Sequence, residues 1–187
     1  MAASSALRLL PPNFLKVTMP SQMYTAAIPV LKQMLGGLAT VLTKAERHAN
    51  LKKIDPNALL QARLYPDMFP LLRQTQVATD FAKSVAARLA GVPVPVLEDT
   101  EQTFAELQAR VHTVLAFIQK LDPALFDEAA SREIVIQAGT PREKRFAGEF
   151  YLHHYGLPHF FFHTTTVYAI LRHNGVELGK RDYLGSY

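Results

Sequence analysis

The peptide Asp55-Pro56-Asn57-Ala58-Leu59-Leu60 decides how this 187-residue chain is read. An aspartate N-cap followed by proline at the first helical position starts a short helix, because the missing proline N–H has no intrahelical partner there. The same signal returns as Asp122-Pro123-Ala124-Leu125-Phe126. Each copy separates two long segments of helical apolar periodicity. The chain therefore reads as two helical hairpins, an all-α four-helix bundle.

Upstream of the first signal, Tyr24, Ile28, Leu31, Leu35, Leu38, Leu42 and Ala45 recur at steps of three and four. This stripe predicts a helix from an N-cap at Ser21 to about Ala49. The Gly36–Gly37 pair weakens its middle by ~1 kcal/mol per glycine relative to alanine, and permits a bend or the close approach of another segment. Downstream, Pro66–Asp67 is expected to open a second long helix ending at Gly91, with Leu71, Gln74, Ala78, Phe81, Val85 and Leu89 on its apolar face. Gln74 lies in that stripe, whereas Gln76 and Asp80 point away from it. Val92-Pro93-Val94-Pro95 is a stiff extended linker, since each proline disfavours helix in its predecessor.

A third helix is expected from about Thr100 to Leu121, with Phe104, Leu107, Val111, Leu115 and Ile118 facing the core. After the second Asp-Pro signal, the β-branched run Glu133-Ile134-Val135-Ile136-Gln137 and the turn signal Ala138-Gly139-Thr140-Pro141 predict a short strand or β-hairpin inserted before the last helix. That helix spans roughly Gly148 to Asn174, with Gly175 in the C′ position. Gly156 and Pro158 kink or restart it, because proline cannot donate to the preceding turn.

Composition narrows the function classes. At 49% hydrophobic and 19% charged residues, the chain has enough apolar surface for a folded core and too little charge for a disordered one. The net charge of +4 is local: only Arg8, Lys16, Lys32 and Lys44 precede the first acidic residue, Glu46, which leaves 16 Lys and Arg against 16 Asp and Glu. A neutral body gives little counterion-release affinity, so no nucleic-acid partner is expected. Arg142, Lys144 and Arg145 are interrupted by Glu143 and read as a solvated turn. No membrane span is expected, because no run reaches the roughly 20 apolar residues that cross a bilayer. The absence of cysteine fits a reducing compartment, and a cytoplasmic location is expected. Residues 1–20, acid-free and rich in small side chains, read as a disordered extension preceding one domain over 21–187.

Five of the seven histidines fall between 153 and 173. His159 and His163, four apart, share one helix face with Leu152, Thr166 and Ile170. An i, i+4 pair offers two imidazoles to one divalent metal, with a third ligand required from another helix. The same spacing also arises when histidines donate to carbonyls in a packed bundle, and both readings stand. The last helix carries Tyr151, Tyr155, Phe160, Phe161, Phe162 and Tyr168 nearly all round, which marks it as central or as a homodimer contact.

The segment Leu157-Pro158-His159-Phe160-Phe161-Phe162-His163, followed by Ala169 to Val176 and Gly179-Lys180-Arg181-Asp182-Tyr183-Leu184-Gly185, resembles a branch of the DinB/YfiT-like superfamily without an assigned function. Tyr65-Pro66-Asp67-Met68, with Gln74 and Asp80, is similar to that branch's second helix. The resemblance covers about residues 21–187 and implies a four-helix bundle, often dimeric. It further implies a nickel or zinc ion held by one histidine of the second helix and a His-x-x-x-His of the fourth. Carried over, His159 and His163 take the two fourth-helix positions, while Gln74 stands where the third histidine belongs. An amide oxygen is a weaker donor than imidazole to such metals, so a degenerate site is expected. In that branch asparagine is common where His159 stands.

Two functions remain open. One is a dimeric small-ligand-binding or structural module with a polar cluster of Gln74, His159, His163 and Thr166 and no metal. The other is a divalent-metal-dependent transferase or isomerase, thiol-transferase-like, using the histidine pair. The sequence carries no nucleotide-binding glycine loop and no nucleophile elbow.

Overall fold

The computed structural model describes residues 21–186. The expected extension over residues 1–20 lies outside them. Four long helical segments and a small hairpin follow one another as the sequence predicts: α1 Gln22–Lys52, α2 Pro56–Leu60, α3 Leu71–Ala90, α4 Phe104–Gln119, β1 Glu133–Ile136, β2 Lys144–Ala147, α5 Gly148–Phe150, α6 Leu157–His173 and α7 Lys180–Leu184. Both Asp-Pro signals work as expected at their starts. The Asp55 carboxylate accepts from the Asn57 N–H at 3.0 Å and opens α2. The Asp122 carboxylate accepts from the Ala124 N–H at 2.9 Å, here opening a single 3-10 turn, Pro123–Phe126.

Ser21 caps α1, its hydroxyl oxygen accepting from the Tyr24 N–H at 3.2 Å while the hydroxyl donates to the Phe126 carbonyl at 3.1 Å. The helix runs three residues past Ala49 and ends where Lys53 takes a left-handed conformation, φ 54°. An 18-residue window of α1 is apolar and long enough to cross a bilayer by composition, with a mean hydropathy of 1.3, beyond what the run-by-run reading expected. Half of that window is buried against the other helices.

Two helix starts differ from the sequence reading. Pro66–Asp67 does not open the second long helix: Tyr65–Met68 forms a turn, and α3 begins at Leu71 behind Pro70. A helix from Pro66 would need Pro70 to donate to the Pro66 carbonyl, and Pro70 has no N–H and would clash there. The third long helix starts at Phe104 rather than Thr100, because Thr103 and Glu106 form a capping box. The Thr103 hydroxyl accepts from the Glu106 N–H at 3.2 Å, and the Glu106 carboxylate accepts from the Thr103 N–H at 2.9 Å.

The β-branched run is one arm of an antiparallel hairpin, Ile134 opposite Phe146 and Ile136 opposite Lys144. The last long helix is continuous but changes winding. Between α5 and α6, Tyr151–Gly156 forms a turn of π-helix, the wider register absorbing the donor missing at Pro158. Gly175, at φ 85°, ends α6 in the C′ position.

The core is a single apolar layer among the long helices, with Leu31, Leu35, Ala82, Val85, Leu107 and Phe160 fully buried. The C-terminal segment closes it. A side chain at Gly37 would collide with the Tyr183 carbonyl, so this glycine of the α1 pair admits α7, while a side chain at Gly36 would meet open space. The Gln33 amide donates to the Leu184 carbonyl at 2.9 Å, and Lys44 pairs with Asp182 at 2.7 Å.

Candidate functional site

Position 74 lies in the first turn of α3, and the antiparallel packing of α3 on α6 sets it opposite position 163. Gln74 is 2% exposed and His163 8%. The His163 Nδ1–H donates to Gln74 Oε1 at 2.7 Å, and the other end of the amide donates to the Phe69 carbonyl at 3.3 Å. That second bond fixes which amide atom faces the imidazole, and so fixes the tautomer. Burial, reinforced by the positive potential of His159 and Arg73, lowers the His163 pKa to about 4. The ring is therefore neutral near pH 7, with a lone pair on Nε2. No buried side-chain nitrogen or oxygen lacks a partner among the described residues, so Nε2 reaches accessible space.

His159 is placed differently. Its ring is exposed and stacks on Phe81, centroids 4.7 Å apart and planes 3° apart, and it leans on Tyr155 at 4.5 Å. Phe81 also stacks against His163, at 5.8 Å and 17°. Partial burial and then Lys144 lower the His159 pKa. Thr166 is buried, but its hydroxyl donates to the Phe162 carbonyl at 2.7 Å, the usual back-bond of a helical threonine. The structure thus joins Gln74 to His163, sets His159 beside them across Phe81, and turns the Thr166 hydroxyl into its own helix. His153, His154 and His173 are exposed.

These residues do not fit the three-imidazole metal set. The third position is an amide whose oxygen is already bonded to His163 Nδ1, and no group of three or more His, Asp or Glu among the described residues is placed to hold a metal. What remains is a neutral imidazole fixed by an amide, with one nitrogen free to accept a hydrogen bond. Exposed Phe69 and Phe162 lie at the edge of this pair, Phe162 edge-on to the His163 ring at 5.1 Å.

A second polar cluster, absent from the sequence reading, lies further along α3. The Arg110 side chain is 1% exposed, and its guanidinium reaches Asp80 at 2.8 Å, Glu101 at 2.9 Å and Asp99 at 3.0 Å. It also donates to Thr79 Oγ1 at 2.7 Å and to the Glu98 carbonyl at 2.9 Å. Lys83 pairs with Asp80 at 2.7 Å, and Arg73 pairs with Asp99. Gln76 is buried as well, donating to Glu101 at 2.8 Å. Burial opposes the Arg110 charge, and Glu101, Asp80 and Asp99 outweigh it and raise its pKa. One signal was available: Arg110 is the only Lys or Arg between Thr100 and Gln119, just after the acidic Glu98, Asp99 and Glu101.

The model of the family described as domain of unknown function (DUF1993) matches residues 23–184. Among solved structures, the chain is similar to the crystal structure of a DinB family member protein from Shewanella denitrificans. The identity is 41% and the TM-score 0.82, with 88% of this chain and 93% of that chain covered. No curated protein matches the chain.

Proposed function

The chain belongs to the DinB family and to the family described as domain of unknown function (DUF1993), and from that membership we propose that it is a dimeric small-ligand-binding module whose metal position is degenerate. The observation that carries this reading is the 2.7 Å bond between His163 Nδ1 and Gln74 Oε1. A neutral imidazole and an amide satisfy one another's buried hydrogen-bonding groups without an ion. The free Nε2 gives a ligand one directional acceptor, and the rings of Phe81 and Phe162 beside it give apolar contact. The dimer reading rests on Phe150 and Phe162, 52% and 55% exposed, on the final helical segment.

Metal analysis of protein purified without a histidine tag, combined with sedimentation velocity, tests the proposal. The expected result is a dimer holding no stoichiometric nickel or zinc. Stoichiometric metal that disappears in His163→Ala would overturn it in favour of a metal-dependent transferase or isomerase.

A further inference from the structure

Between α3, the hairpin and the π-turn lies an open cleft of about 160 Å³ lined by Asp80, Phe81, Ser84, Arg88, Gln137 and Tyr155. We propose that this cleft binds a small planar carboxylate, with the Arg88 guanidinium as its anchor and the rings of Phe81 and Tyr155 as its walls. Arg88 is half-buried and donates to the Tyr151 hydroxyl at 3.2 Å, and it pairs with no carboxylate among the described residues. A planar guanidinium with donors left over matches a carboxylate in two-pronged geometry. The local charge agrees. The Asp80 carboxylate in the lining is already engaged by Lys83 and Arg110, which leaves Arg88 as the cation of the lining without a carboxylate partner, and Lys144 lies 5.5 Å from the Tyr155 ring centroid.

Two backbone features meet at the same place. Gln137 holds a left-handed conformation, φ 52°, unfavourable for a side chain with a Cβ, and Tyr155 is presented by the π-turn rather than by regular helix. The volume is below that of clefts that take drug-sized ligands, which limits the occupant to something of the size of benzoate. The cleft includes neither His163 nor Gln74, so it is a second site that goes beyond the reading given to that pair.

Titration of the full chain with sodium benzoate, followed by amide NMR, tests this. The expected result is saturable shifts centred on Ser84, Arg88, Gln137 and Tyr155. Arg88→Gln is expected to weaken binding by about tenfold or more, the effect of removing a hydrogen bond to a charged group. Ser84→Leu, which fills the cleft and leaves the Arg88–Tyr151 bond in place, should abolish the shifts, and it keeps the test valid if Arg88→Gln folds poorly. His163→Ala should leave benzoate affinity unchanged, so failure here is distinct from failure of the metal analysis. Binding unaffected by Ser84→Leu, shifts centred elsewhere, or equal saturation by inorganic phosphate would overturn the proposal.

Discussion

Helix α3 carries two polar clusters that are built on opposite principles. Near its start, Gln74 and His163 form a neutral pair of two groups, each giving the other what burial removes. Further along, Arg110 and Lys83 face Asp80, Asp99 and Glu101 in a charged network that ties the 92–103 linker to α3 and α4. The difference teaches how each should respond to damage. A neutral pair can be replaced whole by apolar groups of similar shape at little cost, whereas removing one member of a buried charged network strands the others.

The largest expected effect follows from that contrast. Arg110→Met should destabilise the fold by about 3–5 kcal/mol, read from urea denaturation, because Asp80, Glu101 and Asp99 lose their shared cation. Gln74→Leu should cost about 1–3 kcal/mol by leaving the His163 N–H without its acceptor, and the double variant Gln74→Leu/His163→Leu should recover most of that loss. If the double variant is no better than the single one, the neutral pair is not a self-contained unit.

The pH dependence separates the clusters further. Because the folded state lowers the His163 pKa to about 4, the unfolded chain binds the extra proton between about 6.5 and 4. Stability is therefore full above pH ~6.5 and falls as pH drops through that window, by at most about 1.4 kcal/mol per pH unit. Denaturation midpoints at a series of pH values check this, and His163→Leu should flatten the slope. The smallest expected effect is that of Thr103→Ala, about 1 kcal/mol from loss of the capping box, with the Arg110 network still holding the linker.

Much of this architecture was legible because it rests on local signals. The apolar stripes, the first Asp-Pro start, Gly175 and the β-branched run all act over a few residues and took the predicted form. The second Asp-Pro signal instead opened a 3-10 turn, and in α4 Val114 rather than Leu115 is buried. Gln74 was legible as a polar residue in an apolar stripe. The start of α3 was missed because Pro70 vetoes what Pro66–Asp67 invites, a conflict between two local signals. The start of α4 was missed although Thr103-Phe104-Ala105-Glu106 spells a capping box. The Arg110 network was missed for another reason: Asp99 and Glu101 come from a linker with no periodicity and Asp80 from α3, and only tertiary packing sets the three around the guanidinium. The tail was half legible, since the Gly36–Gly37 pair announced a close approach but not that α7 makes it.

The most direct test of the central claim is the nitrogen-15 spectrum of the His163 ring followed against pH. A neutral imidazole protonated at Nδ1, titrating near pH 4 and losing that tautomer in Gln74→Leu, is the predicted result. A ring titrating near 6.5, or one protonated at Nε2 with Nδ1 as acceptor, would contradict it.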